Sequence, residues 1–209
     1  FSSKGPTIDG RIKPDVLASG DPSWSAYADP AADTCEFSSR QGTSMSAPVV
    51  AGNGAMARQY FREGWFNGAK NLTQGFDPSA ALLKAVLINS ATGMSFVGIS
   101  PEPSVLDVTL SDPPDFHQGF GRVTMVNALN INGAVGLFFA DWVEIREGES
   151  IGYEDLRVTL VWADPPASVG STSALIHDLD LVVIAQSTGK EYYPNGGDGA
   201  DSVNNVEKV

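Results

Sequence analysis

A single cysteine, Cys35, stands in 209 residues. That excludes an internal disulfide framework and leaves the thiol free or paired with another chain. Long hydrophobic runs are missing as well, and no stretch approaches the length of a membrane span. Positive charge is scarce: 13 Lys and Arg face 25 Asp and Glu, for a formal net charge of −12. A surface that acidic argues against nucleic acid or an anionic membrane as partner. It favours solubility, and loop carboxylates are also candidate calcium ligands, although solvated acids are their commoner role. No secretory signal pattern is present, but the chain opens at Phe1 without an initiator Met, so that absence says nothing about export. The hydrophobic fraction of 42% is ordinary, and a buried core is expected. The length suits one large domain or one and a half small ones.

The most informative stretch is Gly42-Thr43-Ser44-Met45-Ser46-Ala47-Pro48, which runs on into Val49-Val50-Ala51-Gly52-Asn53-Gly54-Ala55-Met56. Gly42 permits a sharp turn and the close approach of another chain. Thr43 or Ser44 is placed to cap the helix that the following small and apolar residues predict over 45–63. Pro48 falls in or near the first turn, where a missing N–H costs little. A hydroxyl at that point sits beside unpaired N–H groups and the positive end of the helix dipole. The same groups suit an oxyanion in acyl transfer. On pattern alone a plain N-capping serine is the simpler reading. The run as a whole, however, closely resembles the serine motif of the subtilisin-like proteases (subtilases), and the resemblance makes Ser44 the nucleophile. The family usually has Ala at the position of Ser46.

The flanks extend the likeness. Phe1-Ser2-Ser3-Lys4-Gly5-Pro6 and Lys13-Pro14-Asp15 resemble the subtilase loop and strand that precede the serine motif, with Ala18-Ser19-Gly20 where the family has Ala-Pro-Gly. The resemblance makes Ser2, Ser3 and Gly5 candidate substrate contacts; a structural turn explains them equally well. Residues 12–17 read as a short strand, edge-placed by Pro14. Residues 21–40 read as a loop by composition, in which Trp24 and Tyr27 either line a substrate cleft or, the simpler reading, pin the loop to the body. Asp77-Pro78 has the form of an N-cap and first helical residue. The helix over 79–89 presents Leu82, Leu83, Val86 and Leu87 on one face to a core, and it too resembles a late subtilase helix. Residues 105–110 form a short candidate strand. Gln118-Gly119-Phe120-Gly121-Arg122-Val123 resembles the element that closes the protease domain, and residues 126–129 would begin its last helix.

From Gly136 the texture changes. Residues 156–162 alternate and are rich in β-branched and aromatic side chains, which predicts a strand. Residues 179–185 are more continuously apolar and read as a buried strand. Asp164-Pro165-Pro166 and Thr188-Gly189-Lys190 are turns. The module reads as an antiparallel sandwich or jelly roll, and it resembles the β-barrel appended to some secreted subtilases. The fold expected is thus α/β subtilisin-like over 1–136 (a partial domain), followed over 137–209 by an incomplete β-sandwich/jelly-roll module. An edge left open at Val209 suggests that further strands belong to it.

A serine protease also needs a base and an acid that orients it. In subtilases the order along the chain is Asp, His, Ser, yet no histidine precedes Ser44; the two present are His117 and His177. His117 lies in a Pro/Asp-rich loop and reads as a surface residue. His177 flanks a strand of the second module, and its use as base would require a different topology. Asp9 and Asp15 fall in the wrong region for the family acid. The chain alone is therefore expected to be inactive. The parent function implied is serine endopeptidase acting on polypeptides, with the Asp, the His and the oxyanion Asn supplied by an N-terminal part of the same protease. The alternatives are a non-catalytic subtilase-like scaffold or binding component of an extracellular assembly, and a calcium-stabilised binding module with the protease part as carrier.

Catalysis by this route requires no cofactor. A structural calcium is implied by family habit and by Asp178 and Asp180, which alternate on one predicted strand, with Asp198 and Asp201 in a Gly-rich loop. Asn71-Leu72-Thr73 is a glycosylation sequon in a predicted surface connection, which makes Asn71 a candidate glycan site. An extracellular or secretory-lumen location goes with the family resemblance.

Overall fold

The computed structural model describes residues 1–28, 35–97, 108–131, 133, 135–142 and 156–209. Two α-helices dominate them: α1 (Thr43–Arg62) and α2 (Ala80–Ser90). Small, sterically undemanding residues build the first half of α1. It ends where Gly64 turns left-handed at φ 68° and its N–H bonds the Phe61 carbonyl, a conformation that costs a glycine little. In α2 the cap is Ser79 rather than the expected Asp77. The Ser79 hydroxyl oxygen accepts the Leu82 N–H at 3.0 Å, the geometry of an N-cap side chain, and Asp141 receives both the Ser79 N–H and its hydroxyl. Asp77 is left to pair with Arg58 at 2.9 Å.

The helices meet over an aromatic core. Phe61 is fully buried, with ring centroids of Tyr60, Phe66, Phe76 and Phe139 at 4.9–6.3 Å. Leu82 and Val86 of α2 complete this core, with Met125, Ala128 and Leu129, and Leu83 and Leu87 pack partly buried against it. The apolar face expected for this helix is the face that is used. A second cluster joins Ile88, Ala91 and Phe120 to Val206 near the C-terminal end.

Every sheet among the described residues is two-stranded and antiparallel. The pairs are β1 (Ser23–Tyr27) with β2 (Glu36–Arg40), β3 (Phe96–Val97) with β4 (Val108–Thr109), β5 (Thr159–Val161) with β8 (Val206–Lys208), and β6 (Val183–Ala185) with β7 (Lys190–Tyr192). Several expectations are corrected. Residues 21–40 are a hairpin rather than a loop where described: the alternation Trp24, Ala26 against Phe37, Ser39 lets the two segments pair in register. Trp24 is 70% exposed, so it does not pin that segment to the body. Residues 12–17 make no strand; Pro14 has no N–H to pair, and only Leu17 bridges, parallel to Arg122. Residues 126–129 begin no α-helix: a single 3-10 turn, Met125–Asn127, stands there. Residues 179–185 are not buried, with Ile184 56% and Val182 40% exposed, because among the described residues no second layer packs over the faces of β6. Residues 105–107 lie outside the described residues. In the C-terminal part β5–β8 and β6–β7 stand as separate pairs.

Two hydrogen-bonded seams fix the remaining chain. Arg122 pairs with Leu17 on one side and Thr92 on the other. Gly119 approaches Pro14 so closely that a Cβ would lie 1.9 Å from its carbonyl oxygen. Gln118, wholly buried, spends its amide on the Met94 N–H and on the Met94 and Ser111 carbonyls, which satisfies a polar group that is costly to bury unpaired. The second seam ties the C-terminal part to the rest. The Ile12 N–H bonds Asn204, the Ala174 N–H bonds Asp9, and Lys208 Nζ bonds the Ile88 carbonyl at the end of α2. A cation at a helix C-terminus is favourably placed.

Candidate active site

Local backbone chemistry places Ser44. The Leu17–Arg122 bridge sets the segment that leads to Gly20, and the Gly20 carbonyl accepts the Gly42 N–H at 2.9 Å. Gly20 cannot be larger, because a Cβ would sit 2.4 Å from Ser46 Oγ and 2.8 Å from the Gly42 oxygen. Gly42 is the residue that precedes α1, at φ 137° and ψ 167°, a conformation that favours glycine. The chain thus enters the helix through a glycine held by a second glycine. Thr43 and Ser44 are its first two residues, so neither is the N-cap, and no side chain caps this end.

Ser44 is exposed. Its N–H is among the first four of α1, which have no partner one turn back in the helix. The helix of 20 residues aims its positive end at the hydroxyl, a placement that stabilises negative charge. Pro48 stands one turn later and offers no N–H to the Ser44 carbonyl. Among the described residues nothing hydrogen-bonds Ser44 Oγ. The site can therefore present an unengaged hydroxyl and N–H donors to a carbonyl carbon and its oxygen. It holds no base of its own.

Among the described residues no hydrogen bond joins the other candidates to Ser44. Ser2 and Ser3 are exposed and hydrogen-bond nothing among the described residues. Gly5 serves the fold, with its N–H on the Phe116 carbonyl at 2.9 Å and a Cβ excluded by the Lys13 carbonyl at 2.3 Å. His117 is exposed, and its backbone N–H bonds Asp115. His177 meets Asp164 at 2.7 Å, a contact that sequence reasoning did not anticipate. The Asp164 carboxylate also accepts the Ile176 and His177 N–H groups. Burial pushes its pKa up, but these donors outweigh burial and lower it. With two backbone N–H groups and the His177 ring on one carboxylate, Asp164 holds the turn at 176–177. Asp178 and Asp180 are exposed, and among the described residues no group of three or more His, Cys, Asp or Glu is placed to hold a metal. In the sequon, Asn71 Oδ1 accepts the Thr73 hydroxyl and N–H at 2.7 and 3.1 Å.

A buried acid went unnoticed in the sequence. Glu207 is fully buried, with one carboxylate oxygen on the Leu181 N–H at 2.5 Å and the other without a partner. Burial, with Asp201, Asp180 and Asp178 nearby, pushes its pKa up to about 7.

Ser44 thus stands exposed at the N-terminus of a 20-residue helix, entered through a glycine of positive φ. The comparisons then name the family. The subtilase family model matches residues 1–121, and the chain belongs to that family. It is 31% identical over a 247-residue alignment to the serine protease/ABC transporter B family protein tagA of Dictyostelium discoideum, covering all of this chain and 13% of that protein. It is 26% identical over 167 residues to subtilisin-like protease SBT2.3 of Arabidopsis thaliana, covering 71% of this chain and 18% of that one. With the C5a peptidase of Streptococcus pyogenes it shares 38% identity over 97 residues, 45% of this chain and 7% of the relative. The chain thus spans less than a fifth of each of these relatives.

Proposed function

We propose that residues 1–209 form the nucleophile-bearing part of a serine endopeptidase. Ser44 attacks the scissile carbonyl, its own N–H helps to hold the oxyanion, and an acyl-enzyme forms on Oγ. The observation that carries this reading is the exposed, unengaged Ser44 at the N-terminus of α1 in a chain that belongs to the subtilase family. The base, the acid and a second oxyanion donor come from an N-terminal part of the same protease, which also covers the first half of α1. The first half of α1 supports that assembly: Val49 and Met56 are 44% and 54% exposed, and no residue before Ala57 is buried. Residues 1–136 then belong to the protease domain and 137–209 to a jelly-roll module completed elsewhere, in an extracellular setting. Among the described residues no helix is long and apolar enough to cross a membrane.

A non-catalytic scaffold is the second reading, and one observation favours it: among the described residues no imidazole or carboxylate bonds Ser44. Cleavage of a quenched peptide by the full protease decides between them. The proposal expects Ser44→Ala to abolish cleavage while the unfolding transition stays in place. Cleavage that survives Ser44→Ala, or a full protease that cleaves no peptide, supports the scaffold.

A further inference from the structure

The hairpin β1–β2 carries two large aromatic side chains exposed to solvent. The register pairs Trp24 with Ser39 and Ala26 with Phe37, so Trp24, Ala26, Phe37 and Ser39 share one face. On it Trp24 and Phe37 stand as diagonal neighbours, 70% and 72% exposed. The opposite face holds Tyr27 and Arg40, with the guanidinium 5.9 Å from the ring centroid. Two aromatic rings in water on a two-stranded sheet are a liability unless something covers them.

Position says what covers them. The base of the hairpin is pinned by the Gly42 N–H on the Gly20 carbonyl, and β2 runs straight into Gly42-Thr43-Ser44. Ser39, the register partner of Trp24, lies five residues before Ser44, a span of at most about 18 Å. That matches about five residues of an extended polypeptide. The aromatic face therefore lies within reach of a substrate chain whose scissile carbonyl is at Ser44.

We propose that the Trp24–Phe37 face of the hairpin is a substrate-contact surface, which takes a bulky apolar side chain of the polypeptide a few residues from the cleaved bond. This rests on the endopeptidase reading above and adds a preference to it. An aromatic face buries apolar area without fixing a hydrogen bond, so it selects Leu or Phe over Ser rather than one sequence.

The test uses the full protease and quenched peptides with one cleavage site, in which a Leu-or-Ser position is stepped through five residues on each side of the bond. The unsubstituted protein is expected to prefer Leu at one of these positions. Trp24→Ala and Phe37→Ala each lower kcat/KM for that Leu peptide about tenfold and for its Ser counterpart less than threefold, while Trp24→Phe keeps most of the preference. An unsubstituted enzyme with no Leu preference at any position overturns the inference. So does a preference that survives both alanine variants. Equal losses on Leu and Ser peptides, with a lowered melting temperature, mean that another part of the protease packs on the face, and overturn it too. A protein whose Ser44 resists a fluorophosphonate removes the endopeptidase reading, and this inference with it.

Discussion

The two halves of α1 differ in what covers them. From Ala57 onward the helix has a buried face, Ala57, Tyr60 and Phe61: Phe61 has no exposure and touches four other rings. Before Ala57 every residue is exposed or half-buried, and small side chains predominate. One half holds the fold and the other presents Ser44, the proposed nucleophile. The difference teaches that stability and chemistry are separable along a single element. A helix anchored at its C-terminal end keeps its N-terminus, with free N–H groups, in a fixed place.

The comparison can be broken first at the anchor. Phe61→Ala removes a fully buried ring from the aromatic core and is expected to cost about 3–5 kcal/mol in denaturant titration; a cost under about 1 kcal/mol would mean that the core is not the anchor. A second, smaller effect lies at the joint with the C-terminal part. Burial raises the folded pKa of Glu207 to about 7 from its ordinary 4.5. The folded protein therefore holds this proton more tightly than the unfolded chain does. The resulting stabilisation is complete below about pH 4.5 and is lost as pH rises through about 7. Glu207→Gln should flatten that decline and raise stability at pH 8 by about 2 kcal/mol; an unchanged pH profile would contradict the assignment.

Smaller still is the cap. Ser79→Ala deletes the acceptor for Leu82 N–H and the donor to Asp141, with an expected loss of about 1–2 kcal/mol, read as a lower denaturation midpoint at constant slope. At the bare end of α1, Met56→Gln should change the stability of residues 1–209 by less than about 0.5 kcal/mol. The proposed assembly with an N-terminal part of the protease, which would cover Met56, predicts a larger cost for the same substitution in the longer protein. Equal effects in both settings would show that nothing packs on this half of the helix.

Much of this was legible in the residues. Helical spacing of Leu82, Leu83, Val86 and Leu87 marked the face that α2 buries, and Gly42-Thr43-Ser44 marked the helix entry. The cap of α2 was misread because Asp77 and Ser79 are both good caps, and the choice depends on Asp141, 62 residues away. The hairpin at Trp24 was hidden by its Pro, Ala and Ser content, which resembles a loop until pairing with residues 36–40 is known. The buried strand expected at 179–185 rested on apolar run length, and run length does not say whether a second layer lies over the strand. Glu207 could not be foreseen, since only tertiary packing decides that one acid in an acidic chain is enclosed.

The central claim is that Ser44 is a nucleophile once its partners are present. The most direct measurement treats the full, undenatured protease with a tagged fluorophosphonate and locates the tag by peptide mass. The account predicts the tag on the peptide that contains Ser44, and its loss in Ser44→Ala and in residues 1–209 prepared alone. A tag on another residue, or none on a folded protease free of inhibitory segments, would contradict it.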